Sequence, residues 1–408
     1  MIFLRKFIIG LTILLLIHSI SCSTDYESRF QNSFAIAERD YWPTEEWRNA
    51  SAADHGFDEI YLEAMMQDIK QTGHNIHSVL IVHDGYLVWE EYPRGGYGPN
   101  TLHMLQSVTK SFSSTLIGIA LQQGLLDNTN QRMVDIFSDW TIGNMDSRKG
   151  NITLEHLLTM TDGMDWHETD FPYDHPNNTL GQMWVSDDAV QHVLDRPMAR
   201  DPGEFWSYNS GTSILLGGIL EEVTGEDVKD FAREHLFDPI GIGPIIWYKT
   251  TGNHYHTDGG LYMTPRDMAR LGFLMLNNGT WDGIEIVSSE WVSEASRTHV
   301  MTPFTYGYGY QWWTIPDYGV YAATGHYEQK IYVIPEYDTV VVFTANIADE
   351  DPHPTDYLVI FYILQSIEVG SHEEAETLDE LVNSILTVFL VIPLALAVIL
   401  WVFKTRRI

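Results

Sequence analysis

Gln106-Ser107-Val108-Thr109-Lys110-Ser111-Phe112 is the stretch on which the reading of this chain turns. Val108, Phe112, Leu116, Ile119 and Ala120 recur at helical spacing and Gly124 is a natural stop, so Ser107 and Lys110 fall in the first turn of an amphipathic helix. Residues three apart on a helix share a face, with Cβ atoms about 5–6 Å apart. A serine hydroxyl is a poor nucleophile until a base takes its proton, and lysine serves as that base where burial leaves its amine neutral. One helical turn thus offers nucleophile and base together. A Ser-x-x-Lys arises by chance roughly once in a chain of this length, so the motif takes its weight from its company.

With 408 residues, 44% of them hydrophobic, the chain is long enough for one large domain or two smaller ones with a substantial core. The net charge of -33 repels nucleic acid and anionic headgroups, which argues against a nucleic-acid partner. A single cysteine, Cys22, excludes an internal disulfide framework and a cysteine-based zinc site.

The two ends suggest export and anchoring. Arg5 and Lys6, an apolar run from Phe7 to Ile17 and the small residues around Ser19-Ile20-Ser21 have the layout of a signal peptide over 1–21, with Cys22 an alternative lipidation point. Ile385 to Phe403 carries no charge and is followed by Lys404, Arg406 and Arg407. An apolar stretch of about 19 residues is spanning length, and basic residues mark the cytoplasmic side. The expectation is a single-pass cell-membrane protein with its main domain extracytoplasmic, an acidic linker over 371–384 and a tail over 404–408. Asn49, Asn151, Asn177 and Asn278 open Asn-x-Ser/Thr sequons.

Between the ends, 22–56 reads as an extended lead-in and 57–370 as the main domain. A helix is predicted from about Phe57 to Lys70, then strands His77–His83 and Tyr86–Tyr92 joined by Asp84-Gly85, a strong hairpin signal. This order places the Ser107 helix at a sheet edge beside a cleft. About 126–242 is mostly helical (Leu154–Met160, Ala189–Leu194, Thr212–Val223, Val228–Leu236) and reads as a helical subdomain inserted into a sheet-based domain. A helix over Thr264–Leu276, strands at Ile331–Ile334 and Thr339–Ala345 and a last helix around Tyr357–Ile367 complete the pattern.

Two further stretches join the first: Trp206-Ser207-Tyr208-Asn209-Ser210-Gly211, ahead of the Thr212 helix, and Gly325-His326-Tyr327-Glu328-Gln329, ahead of the Ile331 strand. Together the three resemble the serine β-lactamase-like hydrolases: class C β-lactamases, D-alanyl-D-alanine carboxypeptidases, family VIII esterases and, above all, 6-aminohexanoate-dimer hydrolases. The likeness extends from about Phe57 to Ile367 and takes in Thr153–Thr161, Gly259–Arg270 and Tyr306–Tyr310. It implies an α/β (α+β) fold of the β-lactamase/transpeptidase type: an antiparallel sheet flanked by helices, with the helical insertion, and here one C-terminal transmembrane helix.

The resemblance also implies roles. Ser107 is the acylated nucleophile, Lys110 its base partner, and Tyr208 the second-motif tyrosine whose phenol or phenolate passes a proton to the leaving group. The backbone N–H groups of Ser107 and Gln329 form the oxyanion hole. His326 takes the third motif's first position, where β-lactamases hold lysine; it, Ser210 and Glu328 are the expected substrate contacts. Ser210 stands where the second motif carries Asn, which argues against efficient β-lactam turnover. Glu328 stands where relatives usually have Gly; a carboxylate there repels an anionic substrate or binds a substrate ammonium group, unless it is a solvated strand-end charge.

The function implied is a serine hydrolase acting on a small ester, amide or peptide through an acyl-enzyme, an esterase or amidase rather than an efficient β-lactamase, with no metal or cofactor required. One alternative is a non-catalytic membrane-anchored sensor or scaffold on the same fold. His254-x-His256-x-Asp258 is a competing metal-type pattern, since alternating residues on a strand face one way, but it lies in a polar turn.

Overall fold

Asp84 and Gly85 both adopt left-handed backbone, φ 48° and 80°, in the computed structural model of the chain, which describes residues 39, 41–348 and 354–371. Two such residues in succession match the twist of the strands they join. β1 (Ile76–His83) and β2 (Tyr86–Glu91) accordingly form the expected hairpin. The short β3 (His103–Met104), β4 (Ile246–Trp247) and β5 (Leu261–Met263) form a three-stranded sheet, and β6 (Thr280–Trp281) pairs with β7 (Ile284–Glu285). The remaining strands are β8 (Val300–Met301), β9 (Gly307–Tyr308), β10 (Trp313–Ile315), β11 (Val320–Gly325), β12 (Gln329–Ile334) and β13 (Thr339–Ala345). With β1 and β2 they make one eight-stranded sheet in the order β2-β1-β13-β12-β11-β10-β9-β8, its pairings antiparallel.

The central strands are apolar on both faces because both are covered. Alternate residues point to opposite sides of a strand. Leu80, Val82, Ile331, Val333, Val340 and Val342 join the core that holds Phe112 and Leu116, while Val79, Ile81, Tyr332, Val341 and Phe343 join Leu62, Met65 and Ile69 of the Glu59–Thr72 helix. The same second core takes in Leu358, Ile363 and Ile367 from the C-terminal helical stretch.

Helix positions follow the apolar periodicity closely. The 126–242 stretch carries helices at Leu154–Leu158, Ala189–Leu194, Ser210–Thr224 and Val228–Ala232, and a further helix runs over Pro265–Leu276. The capping chemistry explains their starts: Thr153, Asp188, Asn209, Asp227 and Thr264 each accept a backbone N–H from the first turn. The described part of the lead-in packs onto the domain, with Arg39 paired to Asp338 at 2.5 Å and Trp47 buried against Phe273.

One expectation is corrected. The Ser107 segment lies not at a sheet edge but against the β11–β12 turn, in the interior of the strand order. A Cβ on Gly325 would meet the Leu105 carbonyl at 2.4 Å, so glycine is what lets the strand end approach the segment before the serine. Among the described residues no helix is long and apolar enough to cross a membrane. The proposed signal peptide, acidic linker and 385–403 span lie outside the described residues, apart from residue 371 at the linker's start.

Candidate active site

Ser107 caps the Val108–Gln122 helix, yet its hydroxyl makes no capping bond to the first turn. A serine at this position ordinarily accepts from a backbone N–H. Here Oγ lies 2.9 Å from Lys110 Nζ, the contact one helical turn allows, with the Tyr208 phenol facing it. Gln106, just before it, is held at φ 52°, a left-handed conformation that sets the serine at the start of the turn.

Lys110 is 2% exposed and donates to the Asp258 carbonyl at 2.6 Å. Burial lowers its pKa below the ordinary lysine value, partly offset by the Asp258 and Glu168 carboxylates. That is the direction a general base needs. For Tyr208 burial acts the other way: it raises the phenol's pKa, the Glu168 charge adds to this, and only the Ser107 bond opposes. Tyr208 is therefore a neutral phenol, and of the two forms the sequence left open the phenolate is the disfavoured one. Its ring stacks on Trp313 at 6.1 Å and lies 5.2 Å from Lys110 Nζ.

Glu168 was not singled out by sequence and proves central. Fully enclosed at 4% exposure, it accepts from Trp166 Nε1 at 2.9 Å, Ser210 N at 2.8 Å and Ser210 Oγ at 2.7 Å. Burial raises its pKa, against the opposing effects of Lys110 and these donors. Ser210 thus holds Glu168 rather than facing open space, and it is 2% exposed. Behind it, Asn209 Nδ2 donates to the buried Asp162, whose carboxyl is pushed up to about 6 by burial despite its hydrogen bonds.

The third motif forms the β11–β12 turn. Gly325 pairs with Gln329, and both Tyr327 (φ 62°) and Glu328 (φ 65°) are left-handed. The Gln329 side chain donates to Ala345 O at 2.6 Å and Tyr327 O at 3.2 Å, tying the turn to β13 and leaving the backbone of Gln329 at the mouth of β12. Glu328 is 8% exposed and accepts from Thr355 Oγ1, so the solvated-charge reading of it is replaced by a buried one. His326 sits edge-on to Tyr173, ring centroids 5.7 Å apart.

These groups meet at a cavity of about 440 Å³ lined by Ser107, Tyr208, Trp206, Trp313, His326 and Glu328 among others. The aromatic wall explains the Tyr306–Tyr310 block. Tyr308 is buried between Trp206 and Trp313, at 5.7 and 5.1 Å, and a Cβ on Gly307 would meet Thr314 Oγ1 at 2.2 Å. The two histidines of the metal-type pattern diverge: His254 Nδ1 lies 2.5 Å from Glu221, while His256 Nδ1 lies 3.1 Å from Asp258. Among the described residues no three such ligands converge.

The chain belongs to the Beta-lactamase family, whose model matches residues 62–365. It is 26% identical over 284 residues to the 6-aminohexanoate-dimer hydrolase of Paenarthrobacter ureafaciens, covering 65% of this chain and 72% of that protein. It is 27% identical over 135 residues to the lovastatin esterase of Penicillium rubens, covering 31% of this chain and 32% of the relative, about a third of that protein's length. A solved Bacillus anthracis structure, described as a candidate 6-aminohexanoate-dimer hydrolase, superposes with a TM-score of 0.67 at 21% identity over 82% of this chain and 89% of that one. That likeness establishes the β-lactamase/transpeptidase-like fold.

Proposed function

We propose that the protein is a serine hydrolase that cleaves an ester or amide through an acyl-enzyme on Ser107. The observation that carries this reading is the Ser107 hydroxyl held between Lys110 Nζ at 2.9 Å and the Tyr208 phenol, on a cavity large enough for a small organic substrate. Lys110, its amine favoured in the neutral form by burial, takes the Oγ proton as Oγ attacks the carbonyl carbon. The Ser107 and Gln329 amides receive the developing oxyanion. The neutral Tyr208 phenol donates its proton to the leaving oxygen or nitrogen as the carbonyl–leaving-group bond breaks, and Lys110 returns its proton to Tyr208. Water then repeats the sequence on the acyl-enzyme, releasing the acid and restoring Ser107. The names of the relatives, a 6-aminohexanoate-dimer hydrolase and a lovastatin esterase, support the hydrolase reading. The anchored, outward-facing placement read from the terminal segments is part of the same proposal and rests on sequence.

Stopped-flow release of nitrophenol from a p-nitrophenyl ester tests the mechanism. A burst of about one product per protein, followed by slower turnover, is the expected result. A burst that survives Ser107→Ala would place the chemistry elsewhere.

A further inference from the structure

The turn at residues 256–260 reaches Lys110 by two routes, both through Asp258. The Asp258 carbonyl accepts from Lys110 Nζ at 2.6 Å, and its carboxylate, with that of Glu168, opposes the loss of the Lys110 proton. That carboxylate is 4% exposed, and His256 Nδ1 lies 3.1 Å from its Oδ1. One short turn therefore carries both the acid beside the base and the ring that pairs with that acid.

The backbone of the turn is held without the His256 ring. Trp247 Nε1 donates to the His256 carbonyl at 3.0 Å, as do the Gly259 and Gly260 N–H groups at 3.3 and 3.0 Å. Ser113 Oγ, on the helix of Lys110, donates to Thr257 O at 3.0 Å, and Thr257 Oγ1 donates to Ser213 O at 2.8 Å. A Cβ on Gly260 would meet His256 Cβ at 2.4 Å, so glycine lets the turn close over the histidine. With the shape fixed by these bonds, the ring's contribution is electrostatic.

The proton affinities agree with this geometry. Burial disfavours a charged imidazole at His256, yet the bond and charge of Asp258 outweigh it and hold its pKa above the ordinary histidine value. Burial likewise acts against the Asp258 anion and is outweighed by the His256 bond and charge, with Lys110 adding to them, so its pKa stays below the ordinary aspartate value. Burial carries Lys110 down. Histidine and lysine thus approach one another from opposite sides, around one negative charge. While the ring holds its proton the His256–Asp258 pair is neutral; without it, the full carboxylate charge acts on Lys110.

We propose that His256 is a positioning residue for Lys110: acting through Asp258, it balances the carboxylate beside the base, so that Lys110 presents a free amine to Ser107 rather than an ammonium held by the acid. The catalytic part of this role rests on the hydrolase reading above; the charge balance does not. The His256-x-Asp258 spacing then serves proton transfer rather than a metal.

The test follows Lys110 directly in the full-length chain. Protein carrying lysine labelled with carbon-13 at Cε is titrated by NMR, the Lys110 signal being assigned by its loss in Lys110→Arg. The pH dependence of kcat/KM on p-nitrophenyl butyrate is measured over the same range. His256→Ala is expected to move the Lys110 titration and the rising limb of kcat/KM up by about one pH unit, since an uncompensated carboxylate nearby favours the charged form of an amine. His256→Gln, which keeps a hydrogen-bond donor but no charge, is expected to move them in the same direction. Asp258→Asn, which keeps the carbonyl and removes the charge, is expected to move both down, and in that background His256→Ala is expected to add no upward movement.

A histidine that only supports the turn would lower kcat in its variants and leave both titrations in place. That result, or an upward movement that persists in the Asp258→Asn background, overturns the proposal and keeps the hydrolase. The expected movement of the Lys110 signal in a protein with no turnover at any pH keeps the charge balance and overturns the hydrolase reading.

Discussion

Around Ser107 the polar contacts are short and closed, with Lys110 Nζ 2.9 Å from the hydroxyl and 2.6 Å from the Asp258 carbonyl, whereas around Lys330 the ammonium stands 3.6 and 3.7 Å from its two acids. Both lysines are nearly sealed from solvent, so burial alone does not separate them. What differs is the company. Lys110 has one carbonyl, one hydroxyl and carboxylates acting from behind, an arrangement that leaves room for the free amine. Lys330 sits between two carboxylates that line the cavity with it. The first end is built to move a proton and the second to balance charge, and each can be perturbed separately.

The largest effect is expected from Ser107→Ala, which should lower kcat/KM on an activated ester by about 10⁴-fold or more, since nothing else at this end replaces the nucleophile. Lys110→Ala and Tyr208→Phe should each cost about 10²–10⁴-fold, mainly in kcat, as loss of a proton-transfer partner does. In the unchanged protein kcat/KM should rise with pH through the lowered Lys110 pKa, so the rising limb should fall below the ordinary lysine value. A limb at that ordinary value would contradict Lys110 as the buried base.

Asp162 tests the scaffold beneath the catalytic end. Burial pushes its carboxyl in the folded state up to about 6, above the ordinary aspartate value of about 3.8. The folded state therefore binds more protons than the unfolded state between these values, and the stability this group supplies is full below about pH 4 and lost as pH rises to about 6. A rise of that size corresponds to about 3 kcal/mol. Asp162→Asn should remove that component from a plot of unfolding free energy against pH and should raise stability at pH 7, provided Asn209 keeps its bond.

The smallest effect should come from Glu168→Gln. Its charge raises the Lys110 pKa against the larger effect of burial, so the substitution should move the rising limb of the pH–rate profile further down in pH while changing the plateau by about 10-fold or less. A limb that stays in place would mean that Glu168 does not act on Lys110.

These two ends also differ in how much of them can be read in sequence. Ser107 and Lys110 are neighbours on one helical turn, and Tyr208 stands at the entry to the next long helix, so local periodicity and capping place all three. The hairpin at Asp84-Gly85 and the strands Thr339–Ala345 were legible for the same reason, that the pattern is local. Glu168 carries no such pattern. It lies in a stretch of irregular backbone, and only the fold shows that Trp166 and Ser210 enclose it. Its one sequence signal is an acid flanked by aromatics, Trp166 and Phe171. Asp356 and Lys330 come together across the sheet and the C-terminal helix, a juxtaposition that no spacing encodes. The interior position of the serine was likewise out of reach, because strand order depends on β11 and β12, more than 200 residues further along the chain.

The most direct measurement of the central claim is the intact mass of the full-length protein after reaction with a fluorophosphonate, run beside Ser107→Ala. A single adduct on Ser107, absent from the variant, is the predicted result, because the probe reacts with a serine whose proton has an acceptor. A folded protein that takes no adduct, or one labelled equally with and without the Ser107 hydroxyl, would contradict the account.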